Sequence, residues 1–418
     1  MRQGRTFALM TTTVTLTPPT APVRATIPLA SSKSESNRAL VINALTGFSG
    51  DLQNLSTARD TQTMIRLLNS TEAVADVLDA GTTMRFLTAY FAATGQPKTL
   101  TGTPRMQERP IGILVDALRQ LGAVIDYVNH NGFPPLTIRG FTASGRNQLA
   151  IRGDVSSQYI SALLLIAPTL PDGLVLTLTG AIGSRPYIEM TIAQMQHFGA
   201  DVETDWQTNT IRVLPTPYVP TRYAVESDWS GASYWYSVVA LAPAGSALEL
   251  LGLKPQSLQG DSAIQHIMKP LGVVSTFTET GVLLTQGPAE SSLTWDFTDC
   301  PDLAQTVAVT CAMKAIPLTL TGIESLKIKE TDRILALQTE LPKLGASLIE
   351  IVPNTRYGIL TVTPGQPVSA PIATYDDHRM AMAFAPVAMR QTVTIEEPGV
   401  VAKSYPSFWD DFALVTPR

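Results

Sequence analysis

Residues 116–127 read DALRQLGAVIDY, an amphipathic stretch closed by Gly122 and followed by alternating apolar residues. The spacing predicts a helix, a glycine in the left-handed conformation that ends it, and then a strand. The same pattern returns in AQMQHFGADVET (193–204), QHIMKPLGVVST (265–276) and ELPKLGASLIE (340–350). The closing glycines, Gly122, Gly199, Gly272 and Gly345, stand 77, 73 and 73 residues apart. Such near-constant spacing marks internal duplication. Carried backwards, the period meets the helical TMIRLLNS (63–70); carried forwards, it meets PSFWDDFAL (406–414). About six units of roughly 70 residues then fill the chain, each with several strands and a helix. The alternative is ordinary α/β alternation with coincidentally similar lengths. LPTPYVPTRYAVES (214–227) breaks the helical pattern near mid-chain and marks a crossover between two domains.

A chain of 418 residues exceeds one ordinary core and suffices for two. Its net charge of −5 offers no general attraction to nucleic acid. Cys300 and Cys311, the two cysteines, form no disulfide framework and point to a reducing, cytoplasmic setting. No apolar run approaches the roughly 20 residues that span a bilayer. The opening MRQGRTFALMTTT has two arginines and no acid, but its apolar stretch is too short for a secretory signal. It reads as a loose extension, with Met10 an alternative start.

The cations keep unusual company. SSKSESNRAL (31–40) sets Lys33, Ser34 and Arg38 among hydroxyls just before an apolar run. Free N–H groups at a helix start would add to the side-chain charge toward an anion. An N-cap with solvated charges explains the same letters. DAGTTMRFL (79–87) has Gly81 at a turn and Arg85 between Met84 and Phe86, reaching from a buried helix toward a partner; a simple pair with Asp79 explains the same letters. PRMQERPIG (104–112) brings Arg105 and Arg109, the latter extended before Pro110. GDVSSQYISALL (153–164) offers Ser156, Ser157 and Gln158 as neutral donors, and SRPYIEM (184–190) adds Ser184, Arg185 and Tyr187.

In SLKIKETDRILAL (325–337), Lys329 and Arg333 share a face if the segment is helical, with Glu330 and Asp332 pointing elsewhere. A surface helix laced with ion pairs predicts the same pattern. Asp302, after Pro301 and before an apolar helix, fits an N-cap. YDDHRMAMAF (375–384) suits a metal set, an acid–base pair, an anion clamp or a helix start, and VAKSYPSF (401–408) carries Lys403. Four histidines without ligand spacing make a metal reading weak. No P-loop, nucleophile elbow or dinucleotide glycine pair is present. At least seven segments place Lys or Arg at loop-to-helix junctions in an acidic protein. A closed pocket for a small polyanion explains that; independent surface charges do not.

Together these segments resemble the 5-enolpyruvylshikimate-3-phosphate synthase family. SKSESNRAL, AGTTMRFL, PRMQERPIG, SSQYISALL, KETDRILAL, DHRMAM and AKSYPSF follow in the family's order from residue 33 to 408. The resemblance implies a two-domain inside-out α/β barrel of six βαβαββ units, three per domain. One domain would be discontinuous, 1–31 with 226–418, and the other inserted, 32–225, with the active site between them. It further implies that Lys33, Ser34, Arg38, Ser156, Ser157, Gln158, Ser184, Tyr187, Asp302, Ser325 and Lys329 meet shikimate 3-phosphate. Lys33, Gly81, Arg109, Gln158, Arg333, Arg379 and Lys403 would hold phosphoenolpyruvate. Arg85, Asp377 and His378 would support them, with Asp377 capping a helix and Arg379 the anion clamp. Ser31, Asp79, Phe86 and Ser325 depart from the family's usual Gly, Asn, Pro and Asn.

The implied reaction joins the 5-hydroxyl of shikimate 3-phosphate to C2 of phosphoenolpyruvate and expels phosphate, a step toward chorismate and the aromatic amino acids. Asp302 would take the hydroxyl proton, Glu330 would protonate carbon, and Lys33 would assist; no metal or redox cofactor is called for. Glu330 then needs a raised pKa, which burial favours and Lys329 and Arg333 oppose. Cation repulsion would hold the domains apart until ligands close them. A monomer and sensitivity to glyphosate are also implied. The rivals are a UDP-N-acetylglucosamine enolpyruvyl transferase, whose loop cysteine neither Cys300 nor Cys311 matches, and a non-catalytic anion-binding homologue.

Overall fold

The computed structural model describes residues 12–416 apart from 362 and 364. Most of the basic opening segment, Met10 included, lies outside the described residues.

Four sheets repeat one plan. Val74–Asp76 runs parallel to Lys98–Thr101, which pairs antiparallel with Leu136–Phe141, itself antiparallel to Ala123–Tyr127. Gln148–Arg152, Leu174–Thr179, Thr210–Val213 and Val202–Asp205 repeat the arrangement. Leu293–Asp296, Leu318–Thr321, Arg356–Thr361 and Ala346–Val352 do so again. In the remaining copy, Arg24–Ile27 pairs in parallel with Ala247–Leu251, so most of the chain's first half is inserted between two neighbouring strands. Gly281–Gln286 and Val273–Phe277 complete that sheet.

Each hairpin follows a helix ended by one of the repeated glycines. Gly122, Gly199, Gly272 and Gly345 have φ of 116°, 85°, 87° and 77°, the left-handed region that glycine enters without a Cβ penalty. Two further pairs close the set: Asp51–Gln53 beside Arg222–Ala224, and Thr13–Leu16 beside Val393–Glu396. Both are two-stranded and join segments that lie far apart in sequence.

The parallel strands are joined by Gly81–Ala93, Ser157–Ile166, Trp229–Leu241 and Ala304–Lys314, helices buried on nearly all sides. Helices apolar all round belong inside. The strands alternate buried and exposed residues, as in Gln148–Arg152, and carry the solvent face. None of the described sheets closes into a barrel; helices fill the interior and sheets lie outside. No described helix is long and apolar enough to cross a membrane.

Buried apolar residues fall into two clusters. One runs from Leu40 to Tyr218; the other combines Leu16–Leu29 with Trp229–Val415. The chain passes between them twice, and the passes pair: Ser32 N donates to Glu226 O at 2.8 Å and Asp228 N to Ala30 O at 2.8 Å. This sets the helix starting at Lys33 beside the helix starting at Trp229.

Candidate active site

On the first wall, Ser32 caps the helix Lys33–Leu45, its hydroxyl accepting from Glu35 N. Lys33 and Ser34 then open into a small cavity shared with Asp228, Ser230, Tyr234 and Arg379. Lys33 Nζ reaches Asp60 Oδ2 at 2.9 Å. Gly81 begins its helix where an added Cβ would stand 2.8 Å from Arg109 Nη1, so the bare backbone makes room for that guanidinium. Arg85 donates to Gly81 O at 3.2 Å and Pro110 O at 2.9 Å, tying the two loops together rather than pairing with Asp79. Gln158 Nε2 donates to Thr82 Oγ1 at 3.1 Å, beside the same helix start.

On the second wall, Arg333 is buried among three carboxylates. Its Nε donates to Asp377 Oδ2 at 2.7 Å, Nη1 to Asp302 Oδ1 at 2.9 Å and Nη2 to Glu330 Oε2 at 3.1 Å. The shared helical face expected for Lys329 and Arg333 is absent. The helix starts only at Arg333, Asp332 caps it, and Glu330 folds back onto Arg333. Asp302 caps nothing: a 3-10 turn, Pro301–Leu303, aims it at Arg333, Arg379 (2.8 Å) and Lys329 (3.6 Å). Asp377 is an N-cap, accepting from Arg379 N at 2.9 Å.

Across the seam, Arg109 Nη1 approaches Glu330 Oε1 at 3.8 Å. Lys403 Nζ lies 3.3 Å from Asp60 Oδ1, 3.0 Å from Asp79 Oδ2 and 3.8 Å from Glu330 Oε1. Arg105 donates to the Lys329 and Glu330 carbonyls, both at 3.2 Å. The expected repulsion between opposed cations therefore does not describe this seam, because carboxylates stand between them.

Burial would raise the Glu330 pKa, but Arg333, Arg109 and Lys403 outweigh it and hold the carboxyl well below its usual range. Asp302, raised by burial and lowered by Arg379, Lys329 and Arg333, likewise ends far below its ordinary value. For Glu330 the cations win the contest that the sequence left open. His378 is buried, its ring nitrogens without hydrogen-bond partners; burial, then Lys33 and Arg379, push its pKa well down, so the imidazole is neutral. Burial lifts the Tyr187 hydroxyl well above its usual pKa, and it remains a donor.

The EPSP synthase (3-phosphoshikimate 1-carboxyvinyltransferase) family model matches residues 66–412. The 3-phosphoshikimate 1-carboxyvinyltransferase of Bacteroides fragilis (strain YCH46) is 51% identical over 396 residues, covering 93% of this chain and 94% of that one. The chain belongs to the EPSP synthase family. The enzyme of the same name from Yersinia pseudotuberculosis (serotype O:3, strain YPIII) is 37% identical over 426 residues, covering 95% and 97% of the two chains. A solved EPSP synthase from Acinetobacter baumannii, 20% identical, superposes with a TM-score of 0.75 over 96% of this chain and 97% of that one, which bears on the fold.

Against this family background, the expected residues divide in three. Lys33, Arg109, Asp302, Lys329, Glu330, Arg333, Arg379 and Lys403 converge through the contacts above. Arg38 is spent inside the first core, on Thr191 Oγ1 (2.7 Å), Ser161 Oγ (3.2 Å) and the Ser34 and Tyr187 carbonyls. Ser156 caps the helix that Ser157 begins, and Ser184 N donates across the seam to Thr298 O at 2.9 Å. Ser325 is exposed on the turn Glu324–Ile328 and makes no contact with the cluster. Phe86 is buried, 5.4 Å from the Arg38 guanidinium to its ring centre. Asp60, Asp228, Ser230, Tyr234 and Asp261, whose carboxylate accepts from the Ser230 hydroxyl, were missed. Asp228 was legible as a cap from the letters DWSG, but nothing local announces that the helix it starts faces Lys33.

Proposed function

We propose that the chain transfers the enolpyruvyl group of phosphoenolpyruvate to the 5-hydroxyl of shikimate 3-phosphate, releasing phosphate. The observation that carries this reading is the convergence of four cations, Arg109, Arg333, Arg379 and Lys403, on Asp302 and Glu330 at the seam, with Lys33 joined to Lys403 through Asp60. Phosphoenolpyruvate would engage Gly81, Gln158, Arg109, Arg333, Arg379 and Lys403. Shikimate 3-phosphate would engage Lys33, Ser34, Arg38, Ser156, Ser157, Gln158, Ser184, Tyr187, Asp302 and Lys329, with Ser325 entering only after movement of its turn. The domains, 32–225 and 1–31 with 226–418, hold the substrates between them in a cytoplasmic monomer.

Phosphoenolpyruvate brings a phosphate and a carboxylate. Beside Arg109, Arg333 and Lys403 these charges offset the cations that keep Glu330 ionised, and its pKa rises as substrate binds. Glu330 then delivers a proton to the methylene carbon while Asp302 takes the hydroxyl proton and the oxygen adds to C2. Phosphate leaves the tetrahedral adduct and the new methyl returns a proton to the Glu330 carboxylate, restoring the double bond. Lys33 balances charge on the phosphoryl side. The buried thiols of Cys300 and Cys311, pushed up to about 12 by burial, favour no cysteine-assisted route to a UDP-sugar acceptor.

Phosphate release with both substrates tests the reading. Release is expected with shikimate 3-phosphate and not with UDP-N-acetylglucosamine; the reverse would overturn it. Asp302→Asn and Glu330→Gln should each lower kcat by about 10²-fold or more. Glyphosate should compete with phosphoenolpyruvate.

A further inference from the structure

Lys403 is enclosed by the protein to an unusual degree. Its ammonium has three N–H groups, and three oxygens stand within hydrogen-bond reach: Asp79 O at 2.6 Å, Asp79 Oδ2 at 3.0 Å and Asp60 Oδ1 at 3.3 Å. An anion binding to Lys403 must therefore displace a protein oxygen. Asp60 is a poor candidate, because it is buried and its other oxygen holds Lys33 at 2.9 Å. Asp79 differs. The oxygen that meets Lys403 is also met from the outside by Arg59 Nη2, at 2.8 Å, and the Arg59 side chain is half exposed. One carboxylate oxygen thus has an interior cation and an exterior one.

We propose that Asp79 is an exchangeable partner of Lys403, released onto Arg59 when a phosphate or carboxylate arrives, so that Arg59 sets the affinity of this anion site without touching substrate. Arg59 is a positioning residue in this scheme. Without it, Asp79 has only Lys403 to neutralise it and holds the ammonium against the incoming anion. The proposal rests on the reading that Lys403 serves phosphoenolpyruvate.

Arg59→Ala should raise KM for phosphoenolpyruvate about tenfold, the scale of one charge-assisted hydrogen bond. The KM for shikimate 3-phosphate and kcat should stay within about twofold of wild type on the same grounds. Arg59→Lys should recover most of the loss. Adding Asp79→Asn to Arg59→Ala should bring KM back toward wild type, because an amide competes weakly for the ammonium. An unchanged KM in Arg59→Ala, or an elevation that persists in the double variant, would overturn the exchange. The concentration of phosphoenolpyruvate, added alone, that half-saturates the rise in melting temperature should shift by the same factor. A lower melting temperature with no such shift would mark Arg59 as merely structural and also overturn it. Absence of phosphate release by the wild type would instead sink the functional reading, and the melting shift would still report on the exchange.

Discussion

At the scale of single residues, the cleft is a ledger of charge in which small geometric facts have large effects. Arg333 donates to three carboxylates from a fully buried position. Lysine has neither the fork geometry nor enough donors in the right directions, so Arg333→Lys is no conservative change. It should cost about 3–5 kcal/mol in denaturant unfolding, the scale for breaking a buried pair, and turnover should fall with it. Gly81→Ala separates function from stability. Gly81 is the first residue of its helix and lacks a positive φ, so alanine should stabilise by up to about 1 kcal/mol. Its Cβ, 2.8 Å from Arg109 Nη1, must move the guanidinium, and KM for phosphoenolpyruvate should rise. A stability gain with unchanged KM would deny Arg109 its anion role. The sequence singled out both arginines, but not that Glu330 turns back onto Arg333. That contact depends on where a helix starts, a matter of one capped turn.

At the scale of elements, the repeated glycines carry the argument from sequence to fold. Gly122 has φ of 116°, and an added Cβ would stand 1.9 Å from Thr142 O. Gly122→Ala should lower stability by more than the roughly 1 kcal/mol of a left-handed alanine, since backbone must also move. Gly132→Ala has φ of 87° with open space around it and isolates the conformational part. Equal unfolding midpoints for the two variants would show that the contact with Thr142 is immaterial. The helix-to-hairpin units were legible because glycine and the 3.6-to-2 switch in periodicity are local signals. The two short sheets were not, since Asp51–Gln53 meets Arg222–Ala224 only after the chain has built a whole core between them.

At the scale of the whole molecule, buried acids pull stability in opposite directions with pH. Asp302 and Glu330 have folded pKa values below their unfolded ones; their contribution is present above about pH 4 and lost as pH falls through the folded values. Asp228 is pushed up to about 6, chiefly by burial, with Asp261 adding and Arg379 and Lys33 opposing. Its contribution is full below about pH 4 and lost as pH rises through about 6. Asp228 Oδ1 accepts from Ser230 N and Oδ2 from Gly231 N, and asparagine keeps one of these two capping oxygens. Asp228→Asn should therefore gain stability relative to wild type at pH 7–8, by at most roughly 3 kcal/mol, and gain little at pH 4. A gain independent of pH would place the effect elsewhere.

Sequence alone determined the duplicated unit, the residue types that gather charge, and the junctions at which they sit. Each of these follows from local chemistry: periodicity, a glycine's freedom, a cap before an apolar run. Tertiary structure alone decided which carboxylate neutralises which cation. Lys403 meets Asp60 across 343 residues and Arg333 meets Asp377 across 44. The protonation of Glu330 and Asp302 depends on those distances, because Coulomb forces act through space and burial strengthens them, and neither is written in the order of the letters.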